Sequence, residues 1–204
     1  MNCSLAGAPS LLPFVTGTVL SRTLSIGQAG SLNRASEQQT SNTPEEERDL
    51  WRTPGWLFRF LEHRYGRFNV DLAADAKNHL HPVYLTLSDD ALTYDWCKLG
   101  NNGYCNPPYS DPLPWVRCAV ASADERDFST TLVLPSHRGQ EWAALSKYAT
   151  ERIDFEGRVN FNRPDGSPGP SPRTGTVVFY FRANDLGTTR VTWANVLQLK
   201  KRWS

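Results

Sequence analysis

The chain of 204 residues has little of what several large protein classes require. No apolar run approaches the roughly 20 residues that cross a bilayer as a helix, so no membrane partner is expected. Its four cysteines, Cys3, Cys97, Cys105 and Cys118, form no Cys-x-x-Cys pair and no dense framework. That excludes a disulfide-stapled scaffold and fits a reduced, cytoplasmic protein, with Cys105 and Cys118 as small buried apolar residues. His79 and His81 are the only close histidine pair, and no cysteine or carboxylate cluster joins them at zinc-like spacing, so they read as loop residues and no metal is expected. Charge of one sign is also lacking. A net charge of +1 excludes a strongly basic coat, yet leaves room for a local basic groove. No internal repeat is visible, and Met1-Asn2-Cys3-Ser4 lacks the basic start of a signal peptide.

What is present suits one domain with a tail. Residues 1–45 are rich in Ser, Thr, Gly, Asn and Gln and read as a flexible tail; residues 46–204 are denser and more patterned. Thr53 is placed to cap a helix with Pro54 at its first position, an apolar stripe of Trp56, Leu57, Phe60 and Leu61, and Gly66 at its end. Strands are predicted at Phe68–Leu72, Val83–Thr86, Asn102–Cys105, Thr130–Leu134, Arg152–Phe161 (with a bulge or kink at Gly157) and Thr176–Arg182. Helices are predicted at Leu113–Ala123 and Gln140–Ala149, and the stretch from Asn162 to Gly175, dense in proline and glycine, reads as a loop. Strands alternating with helices indicate an α/β fold with a mostly parallel sheet, and the last two strands, with no helix between them, indicate an antiparallel hairpin at its edge.

Asn106-Pro107-Pro108-Tyr109 follows the third strand and carries the strongest chemical signal. The asparagine side chain and the Pro107 carbonyl are two acceptors on a backbone stiffened by consecutive prolines, and Tyr109 adds a flat face on which a base can stack. Such a set can grip an exocyclic amine on a planar ring; the plainer alternative is a turn that ends a strand with Tyr109 packed. Asp71 lies 35 positions earlier, also at a strand end, and in open α/β sheets ligands sit outside the carboxyl ends of the strands. Asp71 reads either as a ligand acceptor or as the cap of a turn. Trp96, Trp115 and Trp142 read as core.

Several pieces in order resemble a known group. They are Trp51-Arg52-Thr53-Pro54, Tyr65-Gly66-Arg67-Phe68, Val70-Asp71-Leu72-Ala73-Ala74, Asp90-Ala91-Leu92, Asp95-Trp96, Cys105-Asn106-Pro107-Pro108-Tyr109-Ser110, Leu132-Val133-Leu134-Pro135 and Gly157-Arg158-Val159-Asn160-Phe161. Together they look like the phage-type DNA N6-adenine methyltransferases, the Dam-related group of phages and prophages, over roughly residues 50–182. The resemblance implies a Rossmann-like class I sheet, S-adenosyl-L-methionine as methyl donor, and a site at Asn106, Pro107, Pro108 and Tyr109 for an adenine flipped out of double-stranded DNA. Donor contacts are implied at Thr53, Pro54, Asp71, Ala73, Ala74 and Asp90. One departure stands out: Leu72-Ala73-Ala74-Asp75 holds no glycine where many methyltransferases carry a glycine-rich turn. Arg138, Arg158, Arg163 and Arg173 lie in segments suited to the rim of the cleft as phosphate contacts, and the 162–175 loop is the expected target-recognition element, or else a solvated loop. A monomer in a bacterial host is expected. RNA adenine, cytosine N4 or a protein glutamine amide would suit the same four residues, and a non-catalytic DNA-binding relative is a third reading.

Overall fold

The computed structural model describes residues 49–136, 141–187 and 189–204; the expected tail over 1–45, and with it Arg138 and Gln140, lies outside the described residues. Helix α1 (Gly55–Tyr65) buries the expected stripe of Trp56, Leu57, Phe60 and Leu61 and adds Phe58. Its start differs from the sequence expectation. Pro54, with an extended ψ of 137°, is the flanking residue, and its carbonyl accepts from the Leu57 and Phe58 amides at 2.9 and 3.4 Å. Thr53 therefore caps nothing; its hydroxyl instead shares a 2.6 Å hydrogen bond with the Tyr104 hydroxyl in the interior. Proline lacks an N–H and was already extended, so the helix begins one residue later and frees the threonine for a different partner.

The strands are β1 (Val70–Asp71), β2 (Asn102–Cys105), β3 (Ser129–Pro135), β4 (Glu151–Glu156), β5 (Thr176–Phe181) and β6 (Arg190–Asn195). They form one sheet in the order β1-β2-β3-β5-β4-β6. The β1–β2, β2–β3 and β4–β6 pairs are parallel, whereas β5 is antiparallel to both β3 and β4. The expected antiparallel hairpin is present but is not the edge: β5 inserts between β3 and β4, and β6 closes the far side. Nothing in the sequence pattern announced β6, because its residues are largely exposed, with Val191 53 % and Trp193 74 % accessible, and so lack the alternation that marks a half-buried strand.

Helix α2 (Leu113–Glu125) and the short α3 (Glu141–Leu145) follow β2 and β3, and α4 (Val196–Trp203) follows β6. Two apolar clusters cover the two faces of the sheet. Leu132 and Leu134 belong to one, with Trp96, Trp142, Phe179 and Phe181; Val133 belongs to the other, with Leu57, Leu61, Tyr104 and Ile153. Coverage on both faces explains why Leu132, Val133 and Leu134 of β3 are apolar in succession rather than alternating. Trp96 and Trp142 are core as expected, while Trp115 is only partly buried against the first cluster.

Several strand predictions shorten: Phe68–Leu72 to Val70–Asp71, and Thr176–Arg182 by one residue to Thr176–Phe181. Val83–Thr86 survives as a bridge from Tyr84 to Asp71, with Asp71 and Leu85 amides donating to the Val83 and Asp71 carbonyls at 3.0 and 2.8 Å. The strand from Arg152 stops at Glu156 because Gly157 takes φ 96°, a left-handed conformation that turns the chain out of the ladder rather than bulging it. Among the described residues, no helix is long and apolar enough to cross a membrane.

Candidate active site

The parallel pairing of β1 with β2 sets Asp71 beside Tyr104, so the carboxyl ends of both strands open onto the same side. There a cleft is lined by Asp71, Ala73 and Leu80 from one direction and by Tyr104 and Asn106 from another. The strip from Asp49 to Thr53 closes it, contributing Asp49, Trp51, Arg52 and Thr53, and Asn78 completes the wall. Of the residues singled out in sequence, the structure thus brings Thr53, Asp71, Ala73 and Asn106 to one place.

The Asn106 Nδ2 donates to the Trp51 carbonyl at 3.3 Å, and Oδ1 is buried with no partner among the described residues. A buried acceptor left unpaired costs about 1–3 kcal/mol, so such an atom calls for a donor supplied from outside the chain. Pro107 is buried and Pro108 half-buried, which fixes the elbow after β2. Ser110 anchors its far end, its amide and hydroxyl donating to the Asp49 carboxylate at 3.1 and 2.6 Å. The Tyr109 ring is half-buried and meets Phe161 edge-on, with centroids 6.2 Å apart and planes at 81°. Its hydroxyl is buried without a partner, and burial, followed by the neighbouring Cys105, pushes its pKa up. That phenol stays neutral at any physiological pH.

Asp71 is 3 % exposed. Its Oδ2 accepts from the Leu80 amide at 3.0 Å and its Oδ1 from the Ala73 amide at 3.4 Å. Burial pushes its pKa up to about 6; the two amides, then His79 and His81, pull the other way. A carboxylate poised there, with lone pairs to spare, suits a ligand that carries hydroxyl or ammonium groups. Asp71 thus organises the 71–80 turn, as the turn-cap reading expects, and it also lines the cleft. Of Ala73 and Ala74 only Ala73 lines the cleft, and the Ala74 amide donates to the Leu85 carbonyl at 3.0 Å.

Other candidates lie elsewhere. Pro54 faces a second surface cleft with Arg59 and Lys200, on the other side of the Thr53–Pro54 peptide. Asp90 is exposed in a left-handed turn (φ 47°), where its carboxylate accepts from the Thr93 hydroxyl at 3.0 Å; it does not line the cleft. Arg158 is exposed beside Gly175, at the same end of the sheet as Asn106. Arg163 is exposed but turns back to donate to the Pro168 carbonyl and the Ser167 hydroxyl, closing its own loop. Arg173 is exposed in the loop, and Arg138 lies outside the described residues. His79 and His81 shape a turn: the His79 ring stacks on Tyr84, and His81 Nδ1 accepts from the Val83 amide at 3.1 Å.

Sequence reasoning missed the roles of Asp49, Trp51, Arg52, Asn78 and Leu80 at the cleft. Leu80 acts through its amide, which every residue but proline carries, so no side-chain pattern could have found it. Asp75 and Asn78 did carry a signal, since Asp and Asn three apart make a self-bonded turn: the Asp75 amide donates to Asn78 Oδ1 at 2.6 Å and the Asn78 amide to Asp75 Oδ1 at 3.0 Å.

Comparison with known proteins adds a family. The profile of the DNA N-6-adenine-methyltransferase (Dam) family matches residues 40–201. The chain is similar to the DNA N-6-adenine-methyltransferase of Haemophilus phage HP1, with 32 % identity over 103 residues, 50 % of this chain and 58 % of that protein. It is also similar to the DNA N-6-adenine-methyltransferase of Escherichia phage T1, with 31 % identity over 102 residues, 50 % of this chain and 42 % of that one. The matched stretch therefore spans about half the length of each phage protein.

Proposed function

The chain belongs to the DNA N-6-adenine-methyltransferase (Dam) family, and we propose that it methylates the N6 amine of adenine in double-stranded DNA with S-adenosyl-L-methionine as donor, on a Rossmann-like class I sheet. The observation that carries this reading is the buried Oδ1 of Asn106, without a partner among the described residues, on a side chain that lines a cleft together with Asp71. Adenine N6 is a donor of the kind that oxygen lacks.

The donor's chemistry suits the residues present. Its amine and ribose hydroxyls need acceptors, and the buried Asp71 carboxylate, which lines the cleft together with Ala73 and Thr53, has lone pairs for them. When bound, it supplies an electrophilic methyl on a sulfonium. Asp71 and Ala73 are the residues that would hold it; Pro54, Ala74 and Asp90 face away from the cleft or are engaged elsewhere.

Asn106 Oδ1 and the Pro107 carbonyl accept the two N6 hydrogens of the target base. Amine nitrogen in adenine is a weak nucleophile, since its lone pair is delocalised into the ring; two acceptors on its hydrogens favour a pyramidal nitrogen and free that pair. The same oxygens stabilise positive charge as it grows on N6, the cationic counterpart of an oxyanion hole. Extruding the base costs a few kcal/mol, and stacking on the Tyr109 face, about 1–3 kcal/mol, offsets part of it. Because the phenol is neutral and its hydroxyl faces inward, Tyr109 serves as an apolar plate and not as a base. Arg158 and Arg173, both exposed, would meet phosphates and fix register without reading sequence.

The test uses purified protein, donor labelled on its methyl and adenine-containing duplex DNA. N6-methyladenine should appear in the digested product, and Asn106→Ala should remove it while the thermal unfolding midpoint holds. Label that accumulates in RNA or in protein, and never in DNA, would overturn the assignment of substrate.

A further inference from the structure

Asn106 bonds to Trp51 and Tyr109 packs on Phe161, and both of those partners converge on Gly169. Asn106 Nδ2 rests on the Trp51 carbonyl, and Tyr109 meets the Phe161 ring. Gly169 sits between the two. A methyl group at its α-carbon would lie 2.2 Å from Trp51 Cζ3 and 2.3 Å from the Phe161 carbonyl oxygen, so no residue but glycine fits that seat. The Gly169 amide also donates to that Phe161 carbonyl at 2.9 Å. Next to it, Arg52 and Asn162 exchange amide-to-carbonyl bonds of 2.9 and 2.8 Å, stitching the strip that carries Trp51 to the base of the 162–175 loop. The first turn of that loop is a closed unit: the Arg163 amide donates to the Ser167 carbonyl at 2.8 Å and the Gly166 amide to the Arg163 carbonyl at 2.9 Å.

Resting on the reading above, we propose that Trp51 is a positioning residue, seated on Gly169, that couples the 162–175 loop to the orientation of Asn106. DNA that engages the loop sets the indole, and the indole sets the carbonyl that fixes the asparagine amide. At 3.3 Å the Asn106–Trp51 bond is near the limit of its range. A small retreat of the strip releases the carboxamide to rotate, and Oδ1 then no longer faces the base. Coupling of this kind needs no distant pathway, because each link is a direct contact. It converts the fit of flanking DNA into the readiness of the acceptor, so a poor fit at the loop slows transfer without weakening the hold on the donor. Gly169 is not part of the cleft wall, which makes it the clean point of perturbation.

The experiment compares the full chain with Gly169→Ala and Trp51→Phe in single-turnover methyl transfer to mixed-sequence duplex DNA. Calorimetry with S-adenosylhomocysteine, thermal unfolding and sequencing of the methylated positions run alongside. A displacement on the order of 1 Å costs up to about a hundredfold in rate, so Gly169→Ala should lower the single-turnover rate by about tenfold or more. Its affinity for S-adenosylhomocysteine should stay within about twofold, and the set of methylated adenines should broaden. Trp51→Phe keeps the carbonyl and a flat ring but shortens the reach to Gly169, and should give a smaller loss of about threefold with the same broadening. An active wild type with an unchanged rate and site spectrum in Gly169→Ala overturns the coupling and leaves the methyltransferase reading intact. Parallel loss of rate, affinity and unfolding midpoint also overturns it, since a merely structural glycine would do that. Should Gly169→Ala fail to fold, Trp51→Phe decides alone, by the same outcomes. A wild type that never methylates DNA overturns the parent reading and this inference together.

Discussion

Replacing Asp71 by asparagine isolates the electrostatic cost of keeping a carboxylate inside the cleft. The side chain is 3 % exposed, and burial raises its carboxyl from an ordinary 3.8 to about 6. Because the folded value lies above the unfolded one, folding favours the protonated acid. Its contribution to stability is full below about pH 4 and is lost as pH rises through about 6. At 1.36 kcal/mol per pH unit, the interval from 3.8 to about 6 corresponds to about 3 kcal/mol. Asparagine carries no charge to desolvate and keeps one oxygen for the Leu80 amide, at the loss of about 1 kcal/mol of charge-assisted bonding. Chemical denaturation of both proteins across the range should therefore show a stability difference that moves by about 3 kcal/mol toward the variant between about pH 4 and neutrality. Donor affinity should move in the opposite sense. An ionised Asp71 is the better acceptor for hydroxyl and ammonium groups, so wild-type binding of S-adenosylhomocysteine should weaken as pH falls through about 6, while the variant binds weakly and without that dependence. A stability difference that is flat over this range would refute the argument that burial dominates at Asp71.

Three further outcomes test other parts of the molecule. Glu151→Ala removes a carboxylate, 3 % exposed, that accepts from Arg64, Tyr65 and Thr192 and ties α1 to β4 and β6; urea unfolding should show a loss of about 3 kcal/mol, with Glu151→Gln losing less. Thr53→Val strands the buried Tyr104 hydroxyl and should cost about 1–3 kcal/mol, whereas Thr53→Val combined with Tyr104→Phe should recover part of that in the same unfolding assay. Arg158→Ala, at an exposed position, should leave stability unchanged and weaken duplex binding uniformly across sequences, lowering the salt slope of log affinity by about 1 in a titration against ionic strength.

Much of the fold is legible in the order of residues because its signals are local. Thr130–Leu134 announces a strand by its β-branched and aliphatic residues, with Leu132, Val133 and Leu134 apolar on both faces, and Trp56, Leu57, Phe60 and Leu61 announce a helix by their spacing. The Asn106–Tyr109 elbow is legible for the same reason: its stiffness and its acceptors belong to four consecutive residues. Strand order is not written that way. That β5 enters between β3 and β4, and that β6 closes the far side, follows from which apolar faces pack best in three dimensions, and the exposed Val191 and Trp193 leave no periodic trace of a strand.

The cleft divides along the same line. Sequence alone determined that Asp71 and Asn106 sit at the carboxyl ends of strands, since strand and turn chemistry are properties of neighbours in the chain. Only tertiary structure decided that β1 and β2 pair so as to bring both to one wall, that a main-chain amide from Leu80 steadies the aspartate, and that the Trp51 carbonyl accepts from the asparagine amide. Backbone groups are the same at nearly every position, so where they are spent is fixed by the packing that brings distant segments together, and by nothing in the side chain that carries them.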